Sequence, residues 1–134
     1  MSVWGIGAFY KGSKPEDKTE EFLNNEKAYI GWNKAEAPAL FRMLDSVKVG
    51  DIIYIKSFSL KSRKLNIKAI GIVTDTNKYK SKDFGTGICI KWKKDFKPIT
   101  VYITDKIYKN NVFNNSLYEE FNDSIINLII DNFF

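Results

Sequence analysis

Histidine is absent from the chain, and cysteine occurs once, as Cys89. With no imidazole and a single thiol, the common zinc sites and the Ser-His and Cys-His nucleophile pairs cannot be assembled. No internal disulfide can form either, which agrees with a reducing compartment. Long apolar runs are missing too, and none reaches the roughly 18 residues that cross a bilayer as a helix. The opening MSVWGIGAFYKG lacks the basic start and apolar centre of a secretory signal, so a cytoplasmic protein without membrane contact is expected. The acidic residues are scattered through turns and helical segments, with no close pair at a strand end where a general acid and base could work together. No catalytic constellation, cofactor motif or metal site is legible, and the expectation is a protein that is not an enzyme.

What is present argues for one folded domain over residues 1–134. Hydrophobic residues make up 44% and aromatics 15% of the chain, enough to bury a core and too much for disorder. The basic charge is uneven. Residues 48–97 hold thirteen Lys or Arg against four Asp or Glu, whereas the remainder holds eight against twelve. Such a half fits a polyanion such as nucleic acid. Lysine on solvent faces also protects strand edges without binding anything, and both readings stay open.

Hydrophobic periodicity predicts a mixed α+β arrangement of about six strands and three helices. Val3–Tyr10 alternates as a first strand, with Val3, Gly5, Gly7 and Phe9 opposite Trp4, Ile6, Ala8 and Tyr10. Ser13, Pro15 and Glu16 make a helix-start signature for a segment closing at Asn24-Asn25. Ala28–Trp32 is a short strand ending at Asn33, which with Glu36 forms a second capping box; Ala37, Leu40, Phe41 and Leu44 then share one helical face. Ile52–Phe58 and Leu65–Thr74 read as a hairpin, the second strand carrying Leu65, Ile67, Ala69, Gly71 and Val73 on one face and a bend at Gly71. Thr74–Thr86 reads as a lysine-dotted loop. Gly87–Lys93 comes next as a half-buried strand with Ile88, Ile90 and Trp92 inward, and Ile99–Thr104 as its partner. Ser116 and Glu119 would cap a last helix whose stripe runs Leu117, Phe121, Ile125, Leu128, Ile129.

Three segments carry a likeness to a known family: YIGWN at 29–33, KVGDIIYIKSF at 48–58 and LNIKAIGIVTD at 65–75. Their order and spacing, with the opening V-W-G-I, resemble the PUA-like superfamily, in particular its EVE branch, over about half the chain. A similar G-W turn, helix and G-D-I-V strand occurs in modified-DNA-recognition domains of restriction systems. The resemblance implies a small PUA-like β-barrel that recognises DNA or RNA, in its finer form through an aromatic pocket holding a modified or flipped base. After its aromatic the first strand departs from the family pattern, reading G-A-F-Y-K-G.

Carried over by position, the pocket lies between the first strand, the G-W-N turn and the strand after V-G-D. Its expected residues are Trp4, Trp32, Asn33, Ser57 and Phe58, with Lys34, Lys56, Lys61 and Lys91 near phosphates. An indole offers a stacking surface and an amide can donate and accept on a base edge. Each has a plainer reading: Trp4, Trp32 and Phe58 as core, Asn33 as a cap, Trp92 in IKWKK as a buried strand residue. Tyr102 and Tyr108 are candidates for a second contact surface, or ordinary exposed tyrosines. Two other functions stay open: a pocket for a nucleotide-like small molecule, and a protein-interaction or inhibitor module presenting Phe133 and Phe134.

Overall fold

A computed structural model describes residues 1–11, 14–108, 113 and 115–134, with the side chain of Tyr108 left out. The expectations at Ser13 and for the Tyr108 side chain therefore lie outside the described residues. In chain order the elements are β1 (Val3–Gly7), β2 (Phe9–Tyr10), β3 (Glu16–Asp17), α1 (Thr19–Asn25), β4 (Lys27–Ile30) and α2 (Pro38–Ser46). The second half of the chain adds β5 (Ile52–Ser59), β6 (Lys64–Ser81), β7 (Gly85–Trp92), β8 (Ile99–Tyr102), α3 (Asp105–Tyr108), β9 (Leu117–Glu119) and α4 (Asp123–Phe133).

The architecture is α+β. One curled mixed sheet runs β4-β7-β6-β5-β1-β9, with β8 added to β6, and β2 and β3 form a separate ribbon. Only β1 and β5 pair in parallel; the other pairings are antiparallel. Both faces of the sheet are covered, which is why Ile52 to Ile55 are buried without interruption. On one face Trp4, Ile6, Ile53, Ile88 and Ile90 pack with Phe22 of α1 and Leu44 of α2. On the other, Val3, Ile52, Tyr54 and Leu65 pack with Ile125 and Ile129 of α4.

The curl comes from β6. Its register slips opposite Ile55 and Lys56, where Lys68 is the extra residue, and again beyond Val73. An extra residue in one strand bends it and increases its twist. The slip at Lys68 also exchanges the two faces of the strand: Leu65 and Ile67, before it, join the α4 side, whereas Ala69 and Val73, after it, join the α1 and α2 side. The expected single face for these residues is thus corrected. The bend expected at Gly71 is absent, since Gly71 pairs in register with both Ile53 and Trp92. Its role is clearance, because a Cβ there would lie 2.8 Å from the Trp92 ring.

Several local expectations give way to pairing. Glu16 and Asp17 pair with β2, so the first helix begins only at Thr19, where the Asp17 carboxylate accepts from the Thr19 N–H at 2.9 Å. Asn33 does cap as expected, accepting from the Glu36 N–H at 2.9 Å, but it closes a separate turn and α2 starts later at Pro38. Of the expected loop Thr74–Thr86, residues 75–81 extend β6 and 85–86 open β7, with Asp75 opposite Cys89 and Tyr79 opposite Gly87. Ile99–Tyr102 pairs with β6, not β7. Leu117 to Glu119 form a strand against β1, so the last helix is capped by Asn122, whose side chain accepts from the Ile125 N–H, and Phe121 is 73% exposed instead of sharing its stripe. Among the described residues there are accordingly nine strands and four helices, more than expected of each. No helix among them is long and apolar enough to cross a membrane.

Candidate functional site

A cleft of about 690 Å³ opens at the end of β1, beside the Gly31-Trp32 turn and the outer half of β5. That is the junction expected from the order of the three motifs. The volume is within the usual range for a small-molecule site. Phe9, Tyr10, Tyr29, Trp32 and Phe58 line it as aromatic walls, and Lys11, Lys56 and Lys68 as its lysines.

One wall is rigid because its rings brace one another. Tyr29 lies edge-on to Phe22 at 5.3 Å between centroids and tilted against Phe84 at 5.3 Å, while the Tyr10 hydroxyl donates to the Phe84 carbonyl at 2.6 Å. Burial pushes the Tyr10 phenol well above the ordinary tyrosine range, so it stays a neutral donor. Gly31 lets this wall close up, since a Cβ there would stand 2.9 Å from the Tyr10 ring. Trp32 is the next residue and is 53% exposed, its indole N–H reaching the Ser116 hydroxyl at 3.4 Å. The opposite wall is Phe58, tilted against Phe113 at 5.5 Å.

The lysines differ in kind. Lys68 is delivered by the β6 bulge and is neutralised by Asp17 at 2.5 Å. Lys11 is exposed. Lys56 is only 8% exposed, and alternation along β5 turns it to the same side as Tyr54 and Phe58. Its ammonium donates to the Phe113 carbonyl at 2.7 Å and stands 5.6 Å above the Tyr118 ring. Tyr118 is itself fixed by a buried chain. The Tyr54 hydroxyl donates to Glu120 at 2.7 Å, which leaves it to accept from the Tyr118 hydroxyl at 2.7 Å. Gly5 admits that phenol, because a Cβ there would overlap the ring.

Burial lowers the Lys56 pKa from 10.5 to about 8. Below pH 8 native and unfolded states both carry the proton, and the full cost of burying it is present. Between pH 8 and 10.5 the native state sheds it first, so stability rises with pH across that window. Buried Tyr54 and Tyr118 have raised pKa values and act oppositely above their ordinary range, but they are common to wild type and a Lys56→Met variant. From pH 7.5 to 10 the wild type is expected to gain about 2 kcal/mol relative to Lys56→Met in urea denaturation. A constant difference would reject an unpaired buried ammonium.

Of the residues expected in the pocket, Trp32, Ser57, Phe58 and Lys56 come together in the cleft. Trp4 does not. It is 2% exposed in the core, because the β1 alternation turns it toward α1 and α2, and its indole N–H donates to Asp51 at 3.0 Å. Asn33 and Lys34 lie on the exposed turn beyond Trp32, Lys61 on the β5–β6 turn and Lys91 on an exposed position of β7, none of them lining the cleft. Trp92 is buried, its indole N–H donating to the Phe22 carbonyl at 3.1 Å. Tyr102 is exposed, Phe133 packs partly into the core and Phe134 is exposed.

Sequence reasoning missed Phe9, Tyr10, Lys11, Tyr29, Lys68 and Ser116. The signal for the first three was the aromatic-basic run F-Y-K closing the first strand; Lys68 and Ser116 had none, since a bulge and a strand pairing bring them in. No family model matches this chain, and no curated protein matches it in sequence.

Proposed function

We propose that the chain is a non-enzymatic recognition module of the PUA-like, EVE type that binds a nucleobase in this cleft, as part of a DNA or RNA strand. The observation that carries the reading is Trp32: a half-exposed indole on a braced turn, in a cleft whose other walls are also aromatic. Exposing an indole to water is unfavourable unless a ligand covers it, and a base is a flat ring of matching size. Likeness of the three motifs to the EVE branch supports the same reading, and a modified or flipped base is its finer form.

A free nucleotide is the second reading, favoured by the lysine arrangement. A bound strand needs several free cations along its path, yet of the three lysines lining the cleft among the described residues Lys68 is already paired with Asp17 and Lys56 is buried, which leaves the exposed Lys11.

Intrinsic fluorescence is well suited to the test, because Trp4 and Trp92 are buried and Trp32 alone of the three tryptophans is half exposed. Saturable quenching by short single-stranded oligonucleotides is expected. Trp32→Ala should remove the signal and, by a competition assay, weaken binding by about 5- to 150-fold, the worth of one stacked base. Affinity for a strand should fall as salt rises; quenching by free nucleotides alone selects the second reading. If neither quenches, the nucleobase reading fails.

A further inference from the structure

Among the described residues, Lys56 is the buried cation of the cleft, and its surroundings are incomplete. An ammonium has three donors; here one reaches the Phe113 carbonyl, and the remaining attraction is the Tyr118 ring. Among the described residues no carboxylate lies within ion-pair distance of it, in contrast to Lys68 with Asp17 and Lys18 with Glu16. Among the described residues, the other charged or titratable side chains lining the cleft are Lys11, Lys68, Tyr10 and Tyr29, none of them an acid. A buried charge left without a counter-ion is unfavourable, and the depressed Lys56 pKa is the mark of that cost. An apolar side chain at this position would fill the space without the penalty. The arrangement makes sense where an anion completes it.

We infer that Lys56 reads a terminal phosphate monoester, seated on its ammonium in the wall of the cleft, so that the ligand is a mononucleotide or the phosphorylated end of a strand. The inference rests on the nucleobase reading above and sharpens it. Access decides the class. At 8% exposure, Lys56 is reached only by a group that enters by its end. A phosphodiester within a strand is continued by sugar on both sides and cannot be threaded there, whereas a monoester ends in free oxygens and carries more charge to meet the ammonium. Gly7 faces this ammonium, with the position of a Cβ 3.7 Å from Lys56 Nζ.

The test compares wild type with Lys56→Met, using the four 5′-mononucleotides, their nucleosides, and pentathymidylate with and without a 5′-phosphate. Mononucleotides are expected to bind about 10- to 100-fold more tightly than nucleosides, as a charge-assisted hydrogen bond provides. That advantage should vanish in Lys56→Met, whose folding is checked by its urea midpoint. Equal response to the phosphorylated pentamer places the ligand at a strand end; response to mononucleotides alone makes it free.

Nucleosides that bind as tightly as nucleotides would overturn the inference while leaving the nucleobase cleft standing. An unphosphorylated pentamer that binds as tightly as its phosphorylated form would do the same. If no nucleoside or nucleotide binds, the nucleobase reading fails, and Lys56 is then tested by carbon-13 NMR of its Cε in inorganic pyrophosphate. A Lys56 titration moved up toward the ordinary lysine range supports the anion site by itself, and an unmoved titration rejects it.

Discussion

Alanine at Gly85 is expected to destabilise the protein by about 4 kcal/mol or more and to displace the cleft with it. Two effects combine. Gly85 opens β7 at φ +94°, a backbone region that disfavours any side chain. A Cβ there would also overlap the Ile30 carbonyl oxygen and stand 3.0 Å from Gly31 Cα. Both are backbone atoms, so no rotamer change relieves the overlap; β4 must move away from β7. Trp32 comes directly after Gly31, so its position on the cleft wall shifts too. Gly50 is the control. It has φ +91° but open space around its missing Cβ, and Gly50→Ala should lose only about 1–2 kcal/mol of backbone strain. Thermal melts should separate the two variants by roughly 5–15 °C. Equal melting points would mean that β4 and β7 are not held this closely.

The second large effect is expected at Asp51, whose substitution by alanine should lower stability by about 3–5 kcal/mol. This carboxylate is buried and accepts three donors: the Ser2 N–H at 3.0 Å, the Trp4 indole at 3.0 Å and the Lys48 N–H at 2.9 Å. It ties the start of β1, the first tryptophan and the turn before β5 into one unit, next to the parallel β1–β5 pairing. Alanine leaves these donors without their acceptor in a buried place. Asp51→Asn keeps the shape and one acceptor, and should lose about 1–3 kcal/mol. Trp4→Phe removes the indole donor without touching the cleft, so it should lower stability and leave ligand quenching of Trp32 unchanged. Denaturant midpoints measure the first two variants. An Asp51→Ala protein within about 1 kcal/mol of wild type would show that the three bonds are replaced by water.

The site was legible where a short motif has a fixed geometric meaning. Gly31-Trp32 and the strand after V-G-D, the elements named for the pocket, are ones beside which the cleft opens. Trp4 misled because an aromatic in a first strand can face either side, and the side is set by the sheet it joins. Asn33 was read both as cap and as ligand, and its amide oxygen is occupied by the Glu36 N–H. The lysines misled most. Charge counts along the chain do not say which ammonium is paired, and the buried Lys56 differs from its neighbours only through what lies across from it.

Runs rich in β-branched and aromatic residues were enough to mark β5, β7 and the first half of β6 as strands, and Val3–Gly7 of the expected first strand, although Phe9 and Tyr10 leave it for the ribbon with β3 and the faces of β6 were not legible. Alternation identified Trp92 as core, and composition alone ruled out His-based or thiol-pair chemistry. Pairing partners lay beyond the reach of both. Leu117 to Glu119 could extend a helical stripe, yet they become β9 because Gly5 leaves room for Tyr118 across the strand gap. Residues 77–81, polar and lysine-rich, become strand because β7 offers them backbone partners. The extra residue at Lys68 exchanges the two faces of β6. Backbone hydrogen bonds between distant segments carry no local sequence signature, so only the folded sheet decides them, and with them which side chains meet in the cleft.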